Sequence, residues 1–165
     1  MIKSLLIGCS LLVATTGFGA DQAAVRVEPT NLQSPRHLEK QTEAAVIRDY
    51  LQAWQSFDTA FDQNRIELLD RDFVGSAKDK LASTIHEQAK LGIHTRYQDR
   101  AHDLQIVFYS PEGLSIQLID NVEYDVQVLD HDKVQTTQKV KTRYIAVLTP
   151  SEVRWRVRIF QSTPE

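Results

Sequence analysis

The sequence predicts an α+β domain in which helices precede a sheet, because the hydrophobic pattern changes its period along the chain. Between Glu39 and Leu91, apolar residues recur at the three- and four-residue spacing of amphipathic helices. From Leu104 onward they alternate with polar residues, as they do in half-buried strands. We therefore expect N-terminal helices, one long and two shorter, packed on a curved four-stranded antiparallel meander.

The long first helix is predicted by an apolar stripe that is rich in aromatic residues. Its members are Val46, Ile47, Tyr50, Leu51, Trp54, Phe57 and Phe61. A short helix around Ile66 to Leu69 and a third from about Ser76 to Leu91 follow, and Gly92 is a natural left-handed end for the third. Such a stripe is more typical of an ordinary core than of a ligand site.

Turn signals at residues 110–113, 130–132 and 150–151 set the expected strand registers. The expected neighbours are Phe108 on one face with Ile116 and Leu118, Val128 opposite Val134, and Leu148 opposite Val153. These registers gather the apolar residues on one face, which is how register is specified when one side of a sheet is buried. We expect the helices to cover that face.

The first twenty residues have the three parts of an export signal, with Lys3 in the charged start, an apolar run and a small-residue exit. The apolar run is too short to span a bilayer. Cleavage after Gly19 would satisfy the small-x-small rule, so we expect a periplasmic or secreted mature chain that starts at Ala20 and has no transmembrane span. A competing interpretation is a lipobox ending at Cys9, which would carry a lipid anchor.

The rest of the chain divides by composition. Residues 20–38 carry Pro29 and Pro35, mixed charges and no clear apolar period. The expected divisions are an export signal at 1–19, a flexible tether or loosely docked arm at 20–38, a single α+β domain at 39–161 and a C-terminal tail at 162–165.

Composition narrows the function classes. Cys9 is the only cysteine, so the mature chain would contain no disulfide. Export would remove Lys3, one of 19 basic residues, and none of the 22 acidic ones, which leaves a net charge of about −4. This balance argues against nucleic-acid binding. The five histidines form no HxH or HxxxH pair, and no GxSxG or phosphate-binding loop occurs, so we expect no metal and no cofactor.

The order of the predicted elements resembles the cone-shaped fold of the nuclear-transport-factor-like and ketosteroid-isomerase-like (cystatin-like) superfamily. The resemblance extends from Glu39 to Gln161 and depends on the first helix with Trp54 and on the final strand at residues 153–157. It implies a cavity between helix and sheet, which members use for ligands, for catalysis or not at all. Isomerase-type members place a carboxylate base and a tyrosine there, but their motif has no residue-by-residue match in this sequence.

Asp120 is anomalous, because it has the same parity as Leu118 and Val122 and should point into the cone. An inward carboxylate would lie in a mostly apolar pocket. The candidate pocket residues are Tyr50, Trp54, Asp120, Tyr124, Gln138, Thr142 and Tyr144. The alternative is a β-bulge at Asp120 and Asn121 that turns the carboxylate outward.

The opposite face of the sheet carries a second candidate site. Its apolar residues are Val107, Tyr109, Ile119, Ile145, Val147 and Phe160. An exposed apolar patch often marks an interface, so self-association as a homodimer or docking of a protein partner is expected there.

Two functions remain open. The first is an exported, non-enzymatic binding or protein-interaction domain, whose partner is a protein or a small apolar ligand. The second is a small cavity enzyme of the isomerase or dehydratase type, with Asp120 as general base and Tyr124 or Tyr144 as hydrogen-bond donor.

Overall fold

The structure is a computed structural model that describes residues 22–32 and 36–163. The predicted export signal, including Cys9, lies outside the described residues. The elements are β1 (Ala24–Val27), α1 (Lys40–Gln63), a short 3₁₀ helix (Ile66–Leu69), α2 (Gly75–Lys90), β2 (Ile93–Tyr109), β3 (Ile116–Asp130), β4 (Lys133–Pro150) and β5 (Trp155–Thr163). The predicted α+β class is confirmed, with helices on a curved sheet.

The helices follow the predicted pattern closely. Most of the apolar stripe of α1 is buried, while Ile47 and Leu51 are half-buried. The helix ends at Asn64, whose φ of 52° is left-handed. After α2, Gly92 has a φ of 71°, which agrees with its expected role as a stop. The middle helix is a single 3₁₀ segment, so the chain has two α-helices among the described residues.

The sheet has five strands in the order β1-β2-β3-β4-β5, one more than the sequence predicted. The additional strand β1 belongs to the segment expected to be a tether, and it pairs in parallel with β2 at Ala101 to Leu104. All four of its residues are exposed, and a segment of four residues is too short for its apolar pattern to identify a strand. The prediction for β2 was also too short, because β2 begins at Ile93 and not at Leu104.

Three β-bulges change which side chains face the helices. Each inserts one extra residue, at Arg100 and Val107 in β2 and at Arg158 in β5. Beyond Val107 the parity is reversed, so that Phe108 is exposed. The assignment of Phe108 to the buried face was therefore wrong.

The same bulges overturn two predictions for the outer face. Tyr109, which follows the extra residue Val107, is only 7% exposed, and Phe160, which follows Arg158, is only 9% exposed. Both belong to the core and not to an exposed patch. Strict alternation cannot anticipate an extra residue in a strand, which explains both errors.

Two hairpin registers also differ from the prediction. Val128 pairs with Thr136 and not with Val134, because the loop after β3 is one residue shorter than expected and a further bulge at Gln135 shifts the register by one more residue. Leu148 pairs with Val157. Val153 lies instead in the turn between β4 and β5, where it is 79% exposed.

The concave face of the sheet is filled by aromatic side chains packed against α1. The ring of Trp54 lies in its centre, with its centroid 5.2 to 6.1 Å from those of Phe57, His102, Tyr124, Tyr144 and Phe160. Packing of this density stabilises the domain without a disulfide. Among the described residues, no helix is both long enough and apolar enough to cross a membrane.

Candidate ligand-binding cleft

Asp120 points inward and is completely buried. Pairing through Asp120 and Asn121 is continuous on both sides of β3, so the alternative of a bulge at these two residues is wrong. A carboxylate without solvent must be hydrogen-bonded to be tolerated in a core. Its surroundings show how this is achieved.

Two buried donors contact the same oxygen of Asp120. The hydroxyl of Tyr50, on the buried stripe of α1, donates to Oδ2 over 2.9 Å. Nδ1 of His102, on β2, donates to the same atom over 2.7 Å. The His102 side chain is only 2% exposed, so the three groups form a polar cluster inside the aromatic core.

The bulge at Arg100 extends this cluster towards the surface. It allows both Asp99 and His102, three residues apart, to face α1 although regular alternation would place them on opposite sides. Nε2 of His102 lies 3.4 Å from Oδ2 of Asp99. Asp99 in turn shares a hydrogen bond with Asp58 of α1. The result is a chain of polar groups from Tyr50 in the core to Asp58.

The pKa values of two residues in this chain of polar groups, Asp58 and His102, are strongly shifted. Burial and the neighbouring charge of Asp99 raise the pKa of Asp58 to about 9. Burial lowers the pKa of His102, but hydrogen bonds and charges from Asp120 and Asp99 outweigh it and raise that pKa to about 9. Near neutral pH, Asp58 is therefore a neutral acid and His102 is an imidazolium.

The surface end of the chain opens into a cleft of about 420 Å³, which we call the His102 cleft. Its lining residues are Leu51, Gln55 and Asp58 of α1, Gln98, Asp99 and His102 of β2, and Gln22, Ala23 and Val25 of the N-terminal segment. The Oδ1 atoms of Asp58 and Asp99 are buried and accept no hydrogen bond from the described residues. Both residues line the cleft, so two unpaired carboxyl oxygens lie just beneath its wall.

The predicted pocket residues are divided between the core and the surface. Tyr50, Trp54 and Asp120 are buried together, and Tyr124 and Tyr144 pack against Trp54. Thr142 is half-buried, and Gln138 is exposed opposite Val126. None of these seven residues lines the His102 cleft.

Sequence reasoning missed the residues that line the cleft. His102 has the inward parity of Leu104 and Ile106, but the predicted strand began only at Leu104. Asp58 lies one helical turn after Trp54, at the margin of the predicted stripe. The inward position of Asp99 could be predicted only with knowledge of the bulge at Arg100. No group of three or more His, Cys, Asp or Glu residues suitable for a metal occurs in residues 22–32 and 36–163.

Comparisons with known proteins show the fold. The intermembrane space region of the chloroplast protein ARC6 is similar, with a TM-score of 0.63 and 16% identity over 79% of this chain and all of that one. A protein of Novosphingobium aromaticivorans provisionally described as a scytalone dehydratase has a TM-score of 0.53 and 15% identity, covering 76% and 89% of the two chains.

A second Novosphingobium aromaticivorans protein, provisionally described as an aromatic ring hydroxylase, has a TM-score of 0.50 and 12% identity over 77% of this chain and 96% of that one. No family model and no curated protein sequence matches the chain. The expected resemblance to the nuclear-transport-factor-like fold is confirmed. At identities this low, the similarity shows the fold alone. One fold can serve both catalytic and non-catalytic proteins.

Proposed function

We propose that the protein is an exported, non-enzymatic binding domain and that the His102 cleft is its ligand site. One observation carries the proposal: His102, buried and fixed by Asp120, forms part of a cleft in which two carboxyl oxygens have no donor. Buried acceptors without partners cost free energy, and a ligand that donates to them would recover it. The cleft is also within the usual size range for small-molecule sites.

The surroundings of Asp120 favour binding over catalysis by that residue. A general base must reach the proton that it removes. Asp120 is completely buried, its Oδ2 is occupied by Tyr50 and His102, and it does not line the cleft. The aromatic packing around Trp54 occupies the space where a substrate would contact it. The geometry therefore gives Asp120 a positioning role.

The lining residues indicate the chemistry of the ligand. Leu51 and Val25 supply apolar surface, while Asp58 and Asp99 supply oxygens that need donors. The ligand is therefore a small molecule with an apolar body and a hydrogen-bond-donating group. An anionic ligand would meet the Asp99 carboxylate and is disfavoured, because the charge of His102 is already engaged by Asp120 and Asp99.

A pair of matched probes tests this proposal. Benzyl alcohol has a donor on an aromatic ring, and benzyl methyl ether has the same ring without the donor. In an NMR titration of the isotope-labelled protein, we expect benzyl alcohol to shift the amide resonances of Leu51, Gln98 and His102. The ether should bind about tenfold more weakly or not at all, because it leaves the acceptors unpaired.

The variant Asp99→Asn provides the protein-side test, since it replaces one carboxylate oxygen, an acceptor, by an NH₂ donor. It should weaken benzyl alcohol binding about tenfold. The matched control is Asp132→Asn in the exposed turn between β3 and β4, which should leave binding unchanged. Equal binding of the alcohol and the ether, or shifts confined to residues outside the cleft, would exclude the proposed recognition.

A second candidate function, acid–base catalysis of the isomerase or dehydratase type, is favoured by one specific observation. His102 is held by Asp120 on Nδ1, and its Nε2 lies at a loose 3.4 Å from Asp99. A substrate could replace Asp99 at Nε2, and perturbed proton affinities often cluster in active sites. In this candidate His102, not Asp120, exchanges the proton with the substrate.

Dehydration of β-hydroxy ketones tests the catalytic candidate, because enone formation is visible by ultraviolet absorbance. Acceleration that disappears in His102→Gln while benzyl alcohol still binds would establish catalysis. If no member of a panel of β-hydroxy ketones reacts faster than in buffer, binding alone remains.

Export is part of the proposal and depends on the sequence pattern of residues 1–19. The fold similarity to a domain described as an intermembrane space region is compatible with a location outside the cytoplasm. The intact mass of the protein purified from its host should correspond to a chain that begins at Ala20. A mass that retains Lys3 would contradict cleavage, and a lipid-modified Cys9 would favour the anchored alternative.

A further inference from the structure

We propose that a groove lined by arginine side chains, where the turn between β4 and β5 meets α1, is a second binding site and takes a phosphoryl group. Three guanidinium groups come from separate segments, namely Arg48 from α1, Arg71 from the segment after the 3₁₀ helix and Arg154 from the turn. The inner part has a volume of about 200 Å³, and an outer part of about 450 Å³ shares Arg71, Val153 and Arg154 with it. We call the two parts together the arginine groove.

Two buried carboxylates fix two of these arginines. Asp72 is completely buried, and Nη1 of Arg154 donates to its Oδ1 over 3.2 Å. Asp49 is also buried, and Nε of Arg48 donates to its Oδ1 over 3.0 Å. The other oxygen of Asp49 accepts from the backbone N–H of Trp155 over 2.8 Å, which joins α1 to the start of β5. The guanidinium groups are therefore preorganised, which lowers the cost of binding a ligand.

The arginine groove carries more positive charge than these carboxylates neutralise. Arg71 makes only a loose contact with Asp72, 3.8 Å from Nε to Oδ1, and its side chain is 59% exposed. Arg156, which lines the outer part, donates through Nη2 to the uncharged backbone carbonyls of Asp70 and Phe73. Four guanidinium groups thus face two buried carboxylates. In a chain with a net charge of −3, this local excess indicates a site for an anion.

The other carboxylates near the groove do not remove this excess. Asp70 is paired with Lys78 of α2, with 2.8 Å between Oδ1 and Nζ. Glu152 lies in the exposed turn, where solvent screens its charge. Apart from Asp49, whose two oxygens are occupied, the described lining of the inner part is basic or neutral and includes the amide of Gln52. An anion in the inner part would therefore meet guanidinium and amide donors.

The number of donor groups favours a phosphoryl group over a carboxylate. Each guanidinium presents a planar fork of N–H donors to an anion. Three forks from three segments can each meet a different terminal oxygen of a tetrahedral phosphoryl group, whereas a planar carboxylate offers only two oxygens. The charge of a phosphate monoester, between about −1.5 and −2 at neutral pH, also matches the excess of two guanidinium groups. Such a group can belong to a soluble phosphomonoester or to a lipid headgroup.

Inorganic phosphate is the probe, added at constant ionic strength to the isotope-labelled protein. By NMR, we expect shifts of the Nε–Hε resonances of Arg71 and Arg154 and of the Val153 amide, with a Kd of about 1 mM. Arg71→Ala should weaken binding about tenfold, because one charge-assisted contact is lost. The matched control is Arg65→Ala, which removes a similarly exposed arginine that pairs with Glu67 outside the groove and should leave the Kd unchanged.

Three results would overturn the proposal. One is the absence of groove shifts at a phosphate concentration of about 20 mM, well above the expected Kd. Another is an equal loss of binding in the two variants, which would indicate general charge screening. The third is tighter binding of malonate than of phosphate, which would make the groove a carboxylate site. Arg71→Ala should fold, because Asp72 keeps its contacts with Ser56 and Arg154.

Phosphatidylcholine vesicles with and without phosphatidic acid distinguish the two sources of the group. Sedimentation of the wild type with the vesicles that contain phosphatidic acid, and about tenfold less of Arg71→Ala, would assign the group to a lipid headgroup. Binding of inorganic phosphate without sedimentation would assign it to a soluble phosphomonoester. Among the described residues, the arginine groove and the His102 cleft have no lining residue in common, so failure here leaves the proposed ligand site standing.

Discussion

Asp120 and Asp99 both contact the ring of His102, one at each nitrogen, but they occupy very different surroundings. Asp120 is completely buried and also accepts from Tyr50. The Asp99 side chain is 14% exposed and faces the His102 cleft beside Asp58. The tighter contact, 2.7 Å against 3.4 Å, is the buried one. One carboxylate thus fixes the histidine, and the other leaves Nε2 available for exchange with a ligand.

The largest expected effect that separates the two carboxylates is on stability. Asp120→Asn removes the closer and fully buried of the two carboxylates that hold the His102 imidazolium, so the free energy of unfolding should fall by about 3 to 5 kcal/mol. Asp99→Asn is the matched variant at the cleft. There the loss should be only about 1 kcal/mol, because water can replace the carboxylate. Urea unfolding at pH 7 measures both.

The comparison fails if the two losses are equal. A small loss for Asp120→Asn would mean that His102 sheds its proton when its partner is neutral, and the histidine would then not be held by charge. Val122→Ala is the control for a general weakening of the core. Val122 pairs with His102 in the sheet, and its truncation leaves a cavity but removes no charge.

The sequence was sufficient for the parts of the fold that follow a regular period. The stripe of α1, the end of α2 at Gly92 and the inward direction of Asp120 all follow from regular spacing, and the structure has them. The α+β class followed from the change of period near Asp103. Hydrophobic periodicity is a strong signal because burial of one face imposes it.

The features that the sequence did not reveal all depend on irregular backbone. The bulges at Arg100, Val107 and Arg158 each add one residue that alternation cannot predict. They bury Tyr109 and Phe160, and they bring Asp99 and His102 to one face. The apolar patch on the outer face was therefore predicted with two wrong members, and the cleft was not predicted at all. Strand β1 escaped because edge pairing through the backbone needs no apolar pattern.

The smaller expected effect is on the pH dependence of the free energy of unfolding, through the protons bound at the cleft. The pKa values of Asp58 and His102 are both raised in the folded protein to about 9. A raised pKa means that the folded state binds a proton that the unfolded state has released, so stability falls as pH rises towards the folded pKa. Between pH 7 and 9 the free energy of unfolding should decrease by at most about 1.4 kcal/mol per pH unit for each of the two protons.

Asp58→Asn should isolate one of these protons. The amide keeps the shape and can still donate to Asp99, but it does not titrate, so the slope of unfolding free energy against pH should be roughly halved between pH 7 and 9. Urea unfolding at several pH values in this window measures the slope. The groups that face Asp58 are Asp99 and His102, with Tyr97 also within its electrostatic range. If the wild type and Asp58→Asn have the same slope, the shared proton between Asp58 and Asp99 does not exist, and the two acceptors in the cleft must be satisfied in another way.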